Sequence, residues 1–116
     1  MLLYMKVSTG VDIVYIKDFT EQSKLGKKIF LNKIFNTFEI STKIESIAGI
    51  FAAKEAVMKA LDIKPGHWKE IKIKTQKNGK PYILLPAKLE NKLKSWDISI
   101  SHSGEYVVAF FVALYK

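Results

Sequence analysis

The sequence predicts an α+β domain in which a mainly antiparallel sheet packs around one long buried helix. A helical pattern of apolar residues covers residues 42–61, other segments alternate as strands do, and an Asn-Gly pair at residues 78–79 is typical of a hairpin. The predicted order of elements is βααββαββ, which favours the α+β class. At 116 residues the chain suits one domain, predicted to span residues 1–116.

The first third of the chain is predicted to hold one strand and a helical region. Residues 4–16 form the strand, and residues 20–38 are helical in two short pieces. Apolar residues on both faces of the strand predict that each face is at least partly covered. These residues are Val7, Val11 and Ile13 on one face, and Val14 and Ile16 on the other.

The main helix has a predicted beginning and end. Thr42 starts it with a capping box, in which Glu45 follows three residues later. It stops at about Leu61, before Asp62 and the Lys-Pro-Gly break at residues 64–66. Small residues on one side predict close packing there, which indicates a central helix. They are Gly49, Ala53, Ala56 and Ala60.

The second half of the chain is predicted to consist of four strands and a short helix. The predicted elements are a strand at 68–75, a hairpin turn at 77–80, a strand at 81–85, a helix at 86–94 with Pro86 near its start, and strands at 97–101 and 106–115.

Composition excludes several classes of function. The chain has no cysteine, which excludes disulfides, a thiol nucleophile and thiolate metal sites. Its two histidines are too few for a histidine-rich metal site, so any divalent metal should be a hard ion held by carboxylate oxygens. No apolar run is long enough to span a membrane, and the N-terminal segment does not suit a secretory signal, so we expect a cytoplasmic protein.

The net charge of +8 comes entirely from lysines, because the chain has no arginine. Such a charge predicts attraction to polyanions, namely nucleic acid, phosphorylated ligands, an acidic protein or anionic lipid. The lack of arginine weakens a sequence-specific DNA interpretation, in which arginine–guanine contacts dominate.

Three polar residues stand where packing alone would favour apolar ones: Asp12, Glu55 and His102. Glu55 lies within the apolar stripe of the main helix, where it is either half of a metal site or the ordinary i,i+4 ion-pair partner of Lys59. Asp12 and His102 each have a structural interpretation as well. Asp12 could cap a backbone group or pair with a lysine, and His102 could be a hydrogen-bonded structural residue at a strand end. Two carboxylates on separate elements, with lysines nearby, suit a magnesium site that also holds a phosphate.

Four segments together resemble a known family. They are GVDIVYI at residues 10–16, FAAKEAVMKAL at 51–61, NGKPYI at 78–83 and ISISHSGEYVVAFFV at 98–112. Their order and spacing are similar to those of the holo-[acyl-carrier-protein] synthases, the short bacterial type of 4′-phosphopantetheinyl transferase, over nearly the whole chain. The resemblance implies the fold of the 4′-phosphopantetheinyl transferases. It also implies transfer of 4′-phosphopantetheine from coenzyme A to a serine of an acyl carrier protein, in support of fatty acid biosynthesis.

The resemblance also implies roles for individual residues. Asp12 and Glu55 match the magnesium ligands, and Lys59 matches the helix lysine near the coenzyme A pyrophosphate, so these three form the expected catalytic set. Lys54 matches the other motif lysine, with a phosphate-binding or positioning role. The proton acceptor stays open between Glu55 itself and a metal-bound water held by Asp12 or Glu55.

The nucleotide end of coenzyme A is expected to contact two turns of the chain. His102 and Ser103 match one of them, and Gly79, Lys80 and Pro81 match a turn near the adenine.

The resemblance implies partners as well. Resemblance to the short family type implies a homotrimer with sites between subunits. The acidic carrier protein would dock on the lysines of the first helical region, Lys24, Lys27 and Lys28. Neither nucleic acid nor a membrane is expected as a partner.

Three positions depart from the family pattern. Asp18 and Ile50 stand where family members usually carry arginine, and residues 62–66 replace a glycine-rich segment. Two alternatives remain: a basic nucleic-acid-binding module using lysines and exposed aromatic residues, and a catalytically inactive relative that only binds carrier protein or coenzyme A, which the missing arginines favour. Aromatic candidates for the first are Tyr4, Tyr15, Trp68, Trp96 and Tyr106.

Overall fold

The computed structural model describes residues 5–25, 27–41 and 43–116, the side chains of residues 23–25 and 27–28 excepted. Within these ranges four α-helices and five strands follow one another. They are β1 Val7–Tyr15, α1 Ile16–Leu25, α2 Lys27–Ile34, α3 Ile44–Leu61, β2 Lys72–Thr75, β3 Pro81–Leu84, α4 Ala87–Glu90, β4 Leu93–Ser103 and β5 Tyr106–Tyr115. Single 3-10 turns lie at Thr37–Glu39 and Trp68–Glu70.

The strands form two antiparallel sheets, which confirms the α+β prediction. The larger sheet has the order β1-β5-β4, and β2 and β3 form a separate hairpin. Helix α3 packs across the inner face of the larger sheet, where Phe111, Val107 and Ile98 are buried. The core lies between this face and α3, so the sheet and the helix together position any side chain at their boundary.

Helix α3 approaches β1 unusually closely, as its small residues predict. A Cβ atom added to Gly10 would lie 2.9 Å from the Ala60 backbone nitrogen and closer still to the Ala56 carbonyl oxygen. The Ser8 hydroxyl donates a hydrogen bond to the Ala60 carbonyl oxygen. Helix and strand therefore meet backbone to backbone, which only glycine at residue 10 permits.

The predicted bounds of the first elements need correction. The strand begins at Val7, and Ile16 already belongs to α1, so α1 starts four residues before the predicted helical region. The two helical pieces are confirmed as α1 and α2. The expected capping residue Thr42 lies outside the described residues, and the N-cap of α3 is Lys43, without a side-chain cap hydrogen bond.

Three later boundaries also differ from prediction. Residues 68–70 form a 3-10 turn, so the strand predicted at 68–75 is shortened to β2. The helix predicted at 86–94 ends at Glu90, because β4 begins at Leu93 and pairs with Tyr115. Strand β4 is accordingly longer at both ends than the predicted 97–101.

The outer face of the larger sheet is open in the single chain. Val7, Val11 and Ile13 are 56%, 54% and 63% exposed, although the sequence predicts partial cover on both faces of β1. Phe110 of β5 lies opposite Val11 and is 45% exposed. The inner face agrees with prediction, since Val14 is buried.

Among the described residues, no helix combines the length and apolar character needed to cross a bilayer.

Candidate active site

Asp12 and Lys59 meet at the boundary between β1 and α3. Asp12 lies two residues after Gly10 and therefore on the same inner face of the strand, where the close approach brings α3 next to it. The Lys59 ammonium donates to Asp12 Oδ1 at 2.9 Å and to the Val11 carbonyl oxygen at 3.1 Å. The contact joins two residues that are far apart in the chain but adjacent at this boundary.

Glu55 is the third member of this cluster. It is half-buried on α3, one helical turn before Lys59. Burial raises the pKa of the Glu55 carboxyl, the negative charge of Asp12 raises it further, and the positive charge of Lys59 opposes both. The three side chains thus share one electrostatic environment, as the sequence predicts for Asp12 and Glu55.

The ion pair expected of an ordinary helix surface is not the main contact of Lys59. Its ammonium bonds across to β1 instead of back along α3 to Glu55. The partner of Lys59 is thus Asp12, and the structure does not support a purely local Glu55–Lys59 pair.

The donor chemistry of the cluster fits a magnesium ion. Asp12 and Glu55 offer hard carboxylate oxygens. Burial and the negative charge of Asp12 raise the pKa of Glu55, which indicates an unfavourable charge that a shared cation would relieve. The described residues contain no cluster of three or more metal-ligating side chains. Two carboxylates are sufficient for Mg²⁺ when substrate phosphates and water complete its coordination.

Lys54 does not lie at this cluster, and the expectation that it contacts a phosphate needs correction. Its side chain is fully buried, and its ammonium donates to Glu39 Oε1 at 2.7 Å, to the Ile34 carbonyl oxygen at 2.8 Å and to the Trp68 carbonyl oxygen at 3.1 Å. All three ammonium donors are used, so none is free for a phosphate. Burial lowers the pKa of Lys54, and the hydrogen bond and charge of Glu39 oppose that shift. Of the two expected roles, this geometry supports positioning.

His102 lies on β4, which borders β5 on the side opposite β1. It continues the inward row of Ile98 and Ile100 on β4, but it is exposed, and one ring nitrogen lies 3.1 Å from the Glu45 carbonyl oxygen. Gly49 leaves room for the ring, since a Cβ there would lie 3.4 Å from His102 Nε2. The histidine therefore stands beside the first turns of α3, with Ser103 exposed next to it.

The predicted Asn-Gly turn is confirmed between β2 and β3. Gly79 has a φ of 88°, and the Lys80 backbone N–H donates to Asn78 Oδ1 at 3.0 Å. The Lys80 ammonium lies 3.7 Å from Asp97 Oδ2, an exposed pair. Pro81 opens β3 immediately after the turn.

The structure brings some of the predicted site residues together and leaves others apart. Asp12, Glu55 and Lys59 form one cluster. Asp12 pairs with Ala109 of β5, whereas His102 pairs with Val107 of the same strand from its other side, so β5 separates the two residues. Two strand spacings amount to about 10 Å, too far for direct contact.

Glu39 is a buried charged residue that sequence reasoning misses. It is 2% exposed and lies in the 3-10 turn Thr37–Glu39. One signal was available: Asn36 and Glu39 have the spacing of a capping box, and Asn36 N does donate to Glu39 Oε1 at 2.7 Å. Nothing in that motif indicates that the same carboxylate also binds Lys54.

Helix α3 ends in a left-handed residue at the start of the segment that departs from the family in sequence. Asp62 caps the helix with a φ of 54°, in the left-handed region that favours glycine, and its N–H bonds to the Met58 carbonyl oxygen. A non-glycine residue therefore adopts a glycine-like conformation at this position.

Comparison with known families identifies the class of protein. The model of the 4′-phosphopantetheinyl transferase superfamily matches residues 8–111, and the chain belongs to this superfamily. It is 39% identical to the holo-[acyl-carrier-protein] synthase of Anoxybacillus flavithermus, over 90% of this chain and 92% of that protein. It is 32% identical to the same enzyme of Halothermothrix orenii, over 89% and 93%.

A solved structure agrees in fold and sequence. The Helicobacter pylori holo-[acyl-carrier-protein] synthase in complex with coenzyme A superimposes with a TM-score of 0.83 and 34% identity, over 90% of this chain and 98% of that one. The family resemblance and the fold predicted from sequence are confirmed.

Proposed function

We propose that this chain transfers 4′-phosphopantetheine from coenzyme A to a serine hydroxyl of an apo acyl carrier protein, releasing adenosine 3′,5′-bisphosphate. The observation that carries the proposal is the Asp12–Glu55–Lys59 cluster, in a chain that matches the transferase superfamily over residues 8–111. The product, a holo carrier protein, would serve fatty acid biosynthesis in the cytoplasm, and residues 1–116 would act as one domain.

Asp12 and Glu55 would hold the magnesium ion on which we propose that the activity depends. When bound, the metal neutralises charge on the coenzyme A pyrophosphate during phosphoryl transfer. The raised pKa of Glu55 supports this role, because it indicates an unfavourable charge on a half-buried carboxylate beside Asp12.

The residues of the cluster would share the chemical step. The serine oxygen forms a bond to the phosphorus that carries pantetheine, and the bond from that phosphorus to the bridging oxygen breaks. Lys59, a flexible cation at the rim of the cluster, would turn from Asp12 to stabilise the departing phosphate. The serine proton would pass to Glu55 directly or to a water held by Asp12 or Glu55.

The nucleotide end of coenzyme A would contact His102, Ser103 and the turn of Gly79, Lys80 and Pro81. Within one protomer β5 separates His102 from Asp12, and the ammonium of Lys80 lies near Asp97 of β4. A site assembled between two copies of the chain would bring the two halves to one ligand.

A homotrimer with its sites between subunits would provide such a shared site. The open apolar face of β1 and β5 supports assembly, because exposed Val11, Ile13 and Phe110 form a contiguous patch across paired strands. A small domain also gains stability by burying such a face against copies of itself.

The carrier protein would dock through charge complementarity. The expected lysines Lys24, Lys27 and Lys28 have side chains outside the described part of the chain, so their arrangement stays a prediction. Lys17 on α1 is exposed and next to Asp18, which stands where family members usually have arginine. An acidic helix of the carrier would meet Lys17 and these lysines.

Structure offers little support to a nucleic-acid-binding module. Trp68 is buried and stacks on Phe51 with ring centroids 5.5 Å apart, and Trp96 donates its indole N–H to the Ile83 carbonyl oxygen at 3.0 Å. Tyr15 and Tyr106 pair with each other at 5.1 Å, which leaves no described row of free aromatic platforms. Tyr4 lies outside the described residues.

One assay tests the proposal and separates it from an inactive relative. The protein is incubated with coenzyme A, Mg²⁺ and an apo carrier protein, and mass spectrometry follows addition of phosphopantetheine to the carrier. A carrier whose acceptor serine is changed to alanine and an Asp12→Asn enzyme serve as controls. If no carrier is modified with any divalent metal tried, the proposed transferase activity is rejected.

A further inference from the structure

Lys54 of α3 forms a buried ion pair with Glu39 that the proposed reaction does not use. Glu39 is 2% exposed and Lys54 is fully buried, with Lys54 Nζ 2.7 Å from Glu39 Oε1. We propose that this pair is a positioning device, which fixes the rotation of α3 about its axis and so aims Glu55 and Lys59 at Asp12. The inference rests on the proposed function.

The pair ties α3 to the elements on the side away from the larger sheet. Lys54 also donates to the carbonyl oxygens of Ile34, at the end of α2, and of Trp68. The second oxygen of Glu39 accepts the Ile73 backbone N–H of β2 at 2.8 Å. Both charged groups are thus fully bonded, and α2, the two 3-10 turns and β2 are fixed to one point on α3.

Helix α3 is therefore held from two nearly opposite directions. Ala56, which contacts Gly10 of β1, lies about 200° around the helix from Lys54 at roughly 100° per residue. Glu55 and Lys59 lie about 100° and 140° from Lys54 and so occupy the flank between the two contacts. Their direction depends on both contacts being kept.

The flank position makes the active residues sensitive to helix rotation. A side chain reaches about 5–6 Å from a helix axis, so a rotation of about 10° moves its end by roughly 1 Å. A displacement of about 1 Å at a reacting group can cost roughly 100-fold in rate. Small losses of orientation at Lys54 would therefore appear as losses of catalysis.

A buried ion pair is a poor device for stability alone. Taking both charges out of water is costly, and replacing such pairs by apolar or neutral side chains is often neutral or stabilising. Its directed hydrogen bonds instead specify one rotation of the helix, which an apolar contact of the same volume does not.

The test compares two variants with a matched control. Lys54→Met removes the ammonium but leaves Glu39 buried and unpaired, so this variant can fail to fold. The double variant Glu39→Gln with Lys54→Met removes both charges and avoids that penalty. Val57→Ala, a buried substitution on the same helix, lowers stability and leaves both charges of the pair in place.

Three measurements are made well below the melting temperature of each variant: Mn²⁺ affinity by electron paramagnetic resonance, steady-state turnover, and a crystal structure. We expect the double variant to lose about 10-fold to 100-fold in kcat, with a change in the KM for coenzyme A of less than about 2-fold. Its Mn²⁺ Kd should rise several-fold, and the Lys59–Asp12 contact should lengthen. Val57→Ala should keep wild-type values.

The proposal is overturned if the double variant keeps the Lys59–Asp12 contact, or if Val57→Ala at equal stability shows the same losses. The crystal structure decides this without any activity, so it is independent of the proposed function. A wild-type protein that modifies no carrier refutes the proposed function and leaves the structural comparison valid.

Discussion

The Lys59 ammonium lies 2.9 Å from Asp12 Oδ1 and joins α3 to β1. Glu55, one helical turn before Lys59, is left with a pKa raised by burial and by Asp12. Lys59 therefore compensates the charge of Asp12 at the place where the proposed cation would compensate both carboxylates. In the proposed mechanism the metal would replace Lys59 as the partner of Asp12, and the lysine would then be available to the phosphate.

Replacing Lys59 by methionine should separate metal binding from catalysis. The variant removes the positive charge that competes for Asp12, so Mn²⁺ should bind a few-fold more tightly in the absence of coenzyme A. Turnover should fall by about 100-fold to 1000-fold, because the departing phosphate loses a cation. Metal titration and steady-state kinetics check both effects. Weaker Mn²⁺ binding by Lys59→Met would contradict the competition.

Glu55→Gln should abolish metal-dependent turnover while leaving the fold intact. The amide has the shape of the carboxylate but neither its charge nor its affinity for Mg²⁺. Far-UV circular dichroism should match that of the wild type, and the carrier mass should not change. If this variant unfolds, Glu55 is structural. Exposed Glu90→Gln is the control and should turn over normally.

The metal-free protein should lose stability as the pH rises through the titration of Glu55. The folded pKa of this carboxyl is raised above its unfolded value of about 4.3. Between those two values the folded state holds more protons than the unfolded state, so the free energy of unfolding falls with increasing pH. The loss is complete above the folded pKa.

Urea unfolding in EDTA from pH 3.5 to pH 7 measures this dependence. Wild type and Glu55→Gln should have similar stability below about pH 4, where both side chains are uncharged. At pH 7 Glu55→Gln should be the more stable of the two. A difference between them that does not vary with pH would show that Glu55 titrates normally.

Much of the site is predictable because its residues break local patterns. Asp12 and Glu55 are carboxylates at positions where periodicity demands apolar side chains, and that conflict is visible in the sequence alone. The small side of α3 likewise predicts close packing, and Gly10 meets Ala56 there.

Lys54 marks the limit of such reasoning. Its burial depends on Glu39, on Ile34 and on Trp68, which lie 14 to 20 residues away in the chain. A motif lysine next to a candidate metal-binding glutamate is easily assigned to a phosphate. Only the three-dimensional arrangement shows that its donors are already used. The prediction that the outer face of β1 is partly covered is wrong for the single chain, because the alternation of apolar residues does not show which element, if any, covers a face.

Gly10→Ala should disrupt both the fold and the metal site. The new methyl group would collide with the backbone of α3 at Ala56 and Ala60, which no side-chain rotation can relieve. We expect a loss of about 1–3 kcal/mol in the free energy of unfolding, typical of overpacking. Because the strand must move away from the helix, Asp12 should also separate from Lys59 and Mn²⁺ affinity should fall.

Thr9→Ala is the matched control, since Thr9 is exposed on the outer face of the same strand. Its free energy of unfolding, measured by denaturation, and its Mn²⁺ affinity, measured by metal titration, should be close to those of the wild type. If Gly10→Ala is as stable as Thr9→Ala, the close approach of β1 and α3 is not required.

Subunit mixing should show whether one site draws on two protomers. Asp12→Asn should lack the metal side and His102→Ala the nucleotide side, so each variant alone should be nearly inactive. Random mixing at equal amounts would pair an intact metal side with an intact nucleotide side in about one site in four of a cyclic trimer. Activity should therefore recover to roughly a quarter of the wild-type value after the two proteins are co-expressed.

Recovery should require the open apolar face. Phe110→Lys places a charge at its centre and should yield monomers by light scattering, with no complementation when it is added to both variants. Tyr82→Lys changes an exposed aromatic residue on the β2–β3 hairpin and should leave assembly unchanged. Trimers that form normally but never complement would mean that each site lies within one protomer.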